Sequence, residues 1–161
     1  VNVDVILETF HRHKVNAILI GGMNFLLRHQ PVLTFDIDFW VKDTDENLLK
    51  VTAALKDLRA EWGRDEKSWK PVPDGFDWLR HQSMFCLTSS YGAIDIFREV
   101  AGLNDKYDLC RERCSEGLTS SGIPYSSLAD EDMLTCQLAL PEHERRLDRI
   151  VFLQNLLRKS P

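Results

Sequence analysis

Apolar residues recur along this chain first at helical spacing and then at every second position, and the switches between the two periods lay out the elements. Val5, Ile6, Leu7 and Phe10 share one side of a helix predicted over Asp4 to Lys14. Ala17 to Ile20 is an apolar run of strand length, closed by Gly21-Gly22. Met23 to His29 reads as a second helix, stopped by Pro31. From Thr34 to Val41 the pattern alternates, with Phe35, Ile37, Phe39 and Val41 on one side and Asp36, Asp38 and Trp40 on the other.

Asp43-Thr44-Asp45 caps a helix over Glu46 to Leu58, with Leu48, Leu49, Val51, Thr52 and Leu55 as its buried stripe. Residues 62–78 break the pattern. They hold three of the four tryptophans, two prolines and two glycines, and read as an irregular excursion or flap. Gln82 to Leu87 and Ala93 to Phe97 are strands joined by a hairpin turn at Ser89-Ser90-Tyr91-Gly92. A helix over Asn104 to Cys114, a short strand over Gly122 to Tyr125, and a helix over Leu128 to Leu140 capped by Ser126 or Ser127 follow. A last helix, Glu142 to Arg158, places Leu147, Ile150, Val151, Leu153, Leu156 and Leu157 inside. This order predicts an α/β (α+β) fold: a short mixed sheet of about five strands flanked by helices. The core spans residues 1–125, and C-terminal helices over 126–161 pack on it within one compact domain.

With 43% hydrophobic residues in 161, the chain can build a core of that size. Its net charge of −5 argues against a general nucleic-acid coat, which needs clustered Lys and Arg. No apolar run approaches the roughly 20 residues of a membrane span, and the expectation is a chain without a signal peptide before its first helix. The four cysteines, Cys86, Cys110, Cys114 and Cys136, contain no CxxC pair. The expectation is reduced thiols in a cytoplasmic protein, with a zinc site built on His11 or His13 as the minor alternative.

The chemistry concentrates in "GG…DID". Residues i and i+2 of a strand share a face, so Asp36 and Asp38 project together, roughly 7 Å apart at their Cβ atoms. Unpaired carboxylates this close repel, and a hard divalent cation such as Mg²⁺ or Mn²⁺ relieves the repulsion. In "AIDIF" a third carboxylate, Asp95, joins them if its strand lies beside the Asp36/Asp38 strand. Three carboxylates can hold two metal ions. Gly21-Gly22, between a strand and a helix, lets backbone N–H groups approach a phosphate. Each piece has a plainer explanation, namely a tight turn, an edge strand or an exposed alternating residue. The ordered conjunction is what points to a site.

The pattern of Gly21-Gly22, then Asp36/Asp38, then Asp95 on a later strand resembles the polymerase-beta-type nucleotidyltransferase superfamily. Within it, the stretch from Leu19 to Leu58 and the C-terminal "IPYSSLADEDMLTCQLALPEHERRLDRIVFL" look closest to small prokaryotic AbiEii-type proteins. The resemblance spans roughly residues 16–153. It implies a nucleotidyltransferase fold and transfer of a nucleoside monophosphate from a nucleoside triphosphate to an acceptor hydroxyl on RNA, a protein or a small molecule. Asp36, Asp38 and Asp95 would be the catalytic, metal-holding residues, and Gly21, Gly22 and Thr34 would be nucleotide contacts. It also suggests a toxin–antitoxin setting with an antitoxin partner. An antibiotic-type small-molecule transferase and a catalytically weak binding module are the alternatives. The chain departs from the pattern twice: Val32 stands where relatives carry Arg, and Gln137 where they carry a phosphate-binding Lys. Arg28, Arg145 or Arg146 would supply the missing charge, and Asp148 would orient an arginine. The tryptophans of 62–78 cover the core, stack on a base or form a partner surface, His11-Arg12-His13 reads as a polar helix face or a phosphate contact, and the C-terminal arginines read as a salt-bridged surface.

Overall fold

The computed structural model describes residues 1–159. In chain order the helices are α1 (Val3–Arg12), α2 (Gly21–Arg28), α3 (Asp45–Asp57), α4 (Tyr107–Arg113), α5 (Asp130–Ala139) and α6 (Leu147–Lys159). The strands are β1 (Ala17–Ile20), β2 (Asp36–Val41), β3 (Glu61–Trp62), β4 (Lys70–Pro71), β5 (Met84–Leu87), β6 (Ala93–Phe97), β7 (Ser115–Leu118) and β8 (Pro124–Ser127). Six strands form a mixed sheet in the order β5-β6-β2-β1-β8-β7. β2 runs antiparallel to β1 and parallel to β6.

The sheet has two covered faces because β1 and β2 bury side chains on both sides. Ile37, Phe39 and Val41 point toward α1 and α3, joining Leu7, Phe10, Leu48, Val51 and Leu55 in the larger core. The rings of Phe10 and Phe39 stack with centroids 4.2 Å apart. Trp40, Ile18 and Ile20 point the other way, into a core shared with Phe25, Leu128, Met133 and Leu153. The C-terminal helices therefore cover the face that carries Asp36 and Asp38. At about 25 cal/mol per Å² of apolar surface, this two-sided burial supplies the main stabilisation of the central strands.

Several elements differ from the pattern-based expectation, each for a local reason. The aspartate strand starts at Asp36, not Thr34, because its first partner across the ladder is Ala93 of β6. Upstream, Thr34 folds back to hydrogen-bond Asp36, leaving Leu33 and Phe35 exposed. The second helix begins at Gly21 rather than Met23, so both glycines lie in its first turn. The short strand expected over Gly122 to Tyr125 is β8, shifted to Pro124–Ser127. Its antiparallel partner β7, "SEGL", lacks apolar alternation because it is an exposed edge. Neither serine caps α5. Ala129 occupies the cap position, and Ser127 Oγ donates instead to Asn24. The last helix starts at Leu147, after a 3₁₀ turn at Glu142–Glu144. Leu147 and Val151 are exposed on it, as is Leu49 on α3, contrary to their expected burial.

The excursion is a cover for the larger core rather than a flap. β3 and β4 pair, Trp62 and Trp78 pack on each other and on Phe85, and Trp78 Nε1 donates to Thr52 Oγ1 at 3.0 Å. Thr52 in turn donates to the Gly75 carbonyl at 2.6 Å. Of the three, Trp78 is buried, Trp62 is half-buried and Trp69 is exposed. No helix among the described residues is long and apolar enough to cross a membrane.

Candidate active site

β2 and β6 lie in register with Asp38 opposite Asp95. Strand periodicity puts Asp36 and Asp38 on the same face as Asp95, and one carboxylate oxygen from each lies within 4.8 Å of the others. Farther along this face Trp40 and Phe97 run under the C-terminal helices. The carboxylates therefore stand where that cover ends. The sequence required only that the Asp95 strand be the neighbour of β2, and the sheet order makes it so. Among the described residues, no other group of three or more His, Cys, Asp or Glu comes together in this way. His11 and His13 build no zinc site: His13 is paired with Asp57, and all four cysteines are free.

The glycine turn abuts the carboxylates directly. Gly21 has φ +69°, and an ideal Cβ there would lie 1.9 Å from Asp38 Oδ2. A Cβ on Gly22 would meet Thr34 Oγ1 at 3.0 Å and an Nη of Arg149 at 3.2 Å. Thr34 Oγ1 donates to Asp36 Oδ1 at 3.1 Å, fixing that carboxylate from the loop side. The eight-residue helix α2 starts here, so its unsatisfied N–H groups and the positive end of its dipole face the same space.

The electrostatics are those of a crowded anionic cluster. Burial, reinforced by Asp36 and Asp95, pushes the Asp38 carboxyl up to about 7, and it shares a hydrogen bond with Asp95. Burial and Asp36 also raise Asp95, against the hydrogen bonds it accepts from Cys86 and Asp38. Desolvation and the same carboxylates push the Cys86 thiol up to about 11. A cluster that binds a proton to relieve its charge is one that a hard cation fits. Three oxygen donors, with no nitrogen or thiolate required, suit Mg²⁺ or Mn²⁺.

The cation beside this cluster is Arg149, a residue whose role the sequence did not disclose. It is half-buried on α6, sits 5.7 Å over the Phe25 ring, and forms no ion pair among the described residues. Burial lowers its pKa while Asp148, Asp38 and Asp36 act to raise it. In the sequence it was one of several arginines in "RRLDR". Only the start of α6 at Leu147 selects it, by aiming Arg149 at the glycine turn. Of the other expected arginines, Arg28 and Arg145 are engaged elsewhere. Arg28 and His29 both bind Asp130, at 3.1 and 2.6 Å, in a largely buried cluster. The Arg145 guanidinium donates to the carbonyls of Leu138 and Leu140. Arg146 is exposed, and its backbone N–H donates to Gln137 Oε1 at 2.8 Å. Gln137 lines a cavity of about 230 Å³ that also touches Gly21, Asp38 and Arg149.

Solved structures share this architecture. The lincosamide antibiotic adenylyltransferase LnuA, bound to lincomycin, superposes with a TM-score of 0.59 over 99% of this chain and 96% of its own, at 19% identity. ANT(2″)-Ia in complex with adenylyl-2″-tobramycin gives a TM-score of 0.57 over 96% and 87%, at 13% identity. This chain has the nucleotidyltransferase fold. No family model matches it, and no curated protein sequence does, so the likeness is one of structure. In the nucleotidyltransferase fold of this chain, the glycine turn, the β2 carboxylates and the β6 carboxylate meet at one opening. The α2 N–H groups and the Arg149 guanidinium face the same opening as the three carboxylates.

Proposed function

We propose that the chain is a divalent-metal-dependent nucleotidyltransferase that moves a nucleoside monophosphate from a nucleoside triphosphate to an acceptor hydroxyl. The observation that carries this reading is the convergence of Asp36, Asp38 and Asp95 oxygens within 4.8 Å beside the Gly21 turn. Asp36 and Asp38 hold the metal, and Asp95 completes its ligands. The Gly21 and Gly22 N–H groups and the Arg149 guanidinium bind the triphosphate. Thr34 keeps Asp36 in place. The acceptor oxygen bonds to the α-phosphorus, the bond to the β-phosphate oxygen breaks, pyrophosphate leaves, and Asp95 takes the hydroxyl proton. Mg²⁺ or Mn²⁺, when bound, would neutralise phosphate charge and make that hydroxyl more acidic. The rest of the catalysis is positioning and fixed charge.

The acceptor enters from the Asp95 side, where Cys86, Trp62, Arg64, Gln82 and Met84 line a second depression. The solved structures sharing the fold include antibiotic-modifying transferases, which favours a small-molecule hydroxyl. An RNA acceptor and an antitoxin partner rest on the AbiEii-type resemblance alone.

The test is transfer of label from α-³²P nucleoside triphosphates, with Mg²⁺ or Mn²⁺, to total RNA, to the protein itself and to a panel of hydroxyl-bearing antibiotics. Label on one acceptor, lost in Asp36→Ala and Asp95→Asn, is expected. Absence of label on every acceptor, together with no metal-dependent nucleotide binding, rejects the reading.

A further inference from the structure

The cavity beside Arg149 has a mixed lining. It includes Gly21, Asp38 and Arg149, which are proposed to hold the metal and the triphosphate. The walls are apolar, with Val100, Leu128, Met133 and Leu140 among them. Two polar side chains also line it, Glu99 and Gln137. Asp36 and Asp95 do not line it, and it shares no lining residue with the depression proposed for the acceptor.

Those two side chains form a readable pair. Gln137 Oε1 is already used, accepting from the Arg146 N–H at 2.8 Å. Its amide therefore offers a free NH₂ donor. Glu99 is exposed, and among the described residues it has no hydrogen bond and no ion pair. Its carboxylate can only accept. A mostly apolar cavity lined by one free donor and one free charged acceptor fits a flat heterocycle that presents an N–H donor and an acceptor.

We infer that this slot seats the nucleobase, and that Glu99 and Gln137 make the protein select purine triphosphates carrying an exocyclic amino group over UTP. The inference rests on the nucleotidyltransferase reading of the site. Adenine offers its amino N–H to Glu99 and a ring nitrogen to Gln137. Guanine offers adjacent N–H groups to Glu99 and its keto oxygen to Gln137. Uracil flanks its one N–H with two keto oxygens, so a carboxylate that accepts this N–H faces a lone pair on each side. The apolar walls favour the larger purine ring system over cytosine.

The experiment is equilibrium binding of ATP, GTP, CTP and UTP with Mg²⁺, by calorimetry on the wild type, Glu99→Gln and Glu99→Lys. Glu99 is exposed, so both variants should fold. ATP and GTP should bind about tenfold or more tighter than UTP. Glu99→Gln should collapse that ratio, and Glu99→Lys should reverse its sign. If all four nucleotides bind alike, or if the ratio survives both substitutions, the base lies elsewhere and the inference fails while the transferase reading stands. Unchanged nucleotide affinities with an altered acceptor KM would give the slot to the acceptor and overturn the inference. If no triphosphate binds at all, both fall.

Discussion

A side chain on Gly21 and the carboxylate of Asp38 cannot occupy the site together. A Cβ placed on Gly21 with ideal geometry falls 1.9 Å from Oδ2, 2.9 Å from Cγ and 3.3 Å from Cβ of Asp38. The glycine is therefore a requirement of the aspartate as much as of any phosphate. The turn at φ +69° lets the end of β1 pass within contact of β2 while the backbone N–H groups stay open.

Gly21→Ala should accordingly damage fold and site together. The left-handed backbone conformation costs about 1 kcal/mol for alanine, and displacing Asp38 costs roughly 1–3 kcal/mol more. The expected result is a lower melting temperature and loss of the Mn²⁺-induced stabilisation. Gly75, also at positive φ (+78°) but with nothing near its would-be Cβ, is the control. Gly75→Ala should show the backbone cost alone and keep the metal response. An intact metal response in Gly21→Ala would mean that the Asp38 carboxylate does not take part in metal binding.

Much of this site was legible because strand periodicity is rigid. Once Asp36 and Asp38 are set in an alternating strand, their shared face follows, and "AIDIF" carries the same signature. The element order then left few neighbours for β6. Arg149 was not legible. Its direction depends on where α6 begins, and the residues before Leu147 form a 3₁₀ turn that helical periodicity does not reveal. Leu147 and Val151, which helical periodicity assigned to the inner face, are exposed on that helix. β7 escaped notice for the opposite reason. An edge strand held by one neighbour needs no apolar face, and Gly117 is present because the Tyr125 ring lies across it, 2.2 Å from where a Cβ would stand.

Asn24 fastens the glycine helix to the rest of the site. It is fully buried on α2, donates to the Leu128 carbonyl at 3.1 Å, and accepts from Ser127 Oγ. These bonds tie α2 to the junction of β8 and α5. Asn24→Ala leaves the Ser127 hydroxyl and the Leu128 carbonyl short of partners, at a cost of about 1–3 kcal/mol. Urea denaturation should show that loss. Nucleotide affinity should fall by more than metal affinity, because the α2 N–H groups lose their fixed position while the carboxylates stay on the sheet. Equal loss of both would mean only general destabilisation.

Arg149 should separate phosphate binding from metal binding. A charge-assisted hydrogen bond is worth about 1.5–3 kcal/mol, so Arg149→Met should weaken triphosphate binding roughly ten- to hundredfold. Methionine keeps an apolar stem over Phe25. Mn²⁺ binding without nucleotide should not weaken on this scale, since Arg149 contributes no ligand oxygen. Arg145→Met serves as the comparison: its guanidinium is spent on the Leu138 and Leu140 carbonyls, so it should cost stability at the α5–α6 junction rather than nucleotide affinity. Equal nucleotide affinities in Arg149→Met and the wild type would remove Arg149 from the phosphate cradle.

The raised carboxyls also predict how metal-free protein responds to pH. Asp38 titrates near 3.8 when exposed and at about 7 in the fold, so the native state holds a proton that the unfolded chain has released. Stability from this group is greatest below pH 4, falls as pH rises toward 7, and is level above. The whole change is on the order of 4 kcal/mol, and Asp95, raised in the same direction, adds to it. Between pH 5 and 8 the melting temperature of metal-free protein should drop by about 5 °C or more. Mn²⁺ should restore it at pH 8, where the carboxylates are ionised, and do little at pH 5, where a proton competes for Asp38. Asp38→Asn removes the titrating group while keeping its shape, so most of the slope and most of the metal response should vanish together. A variant that keeps the wild-type slope would show that the strain of gathering charge here resides in other groups.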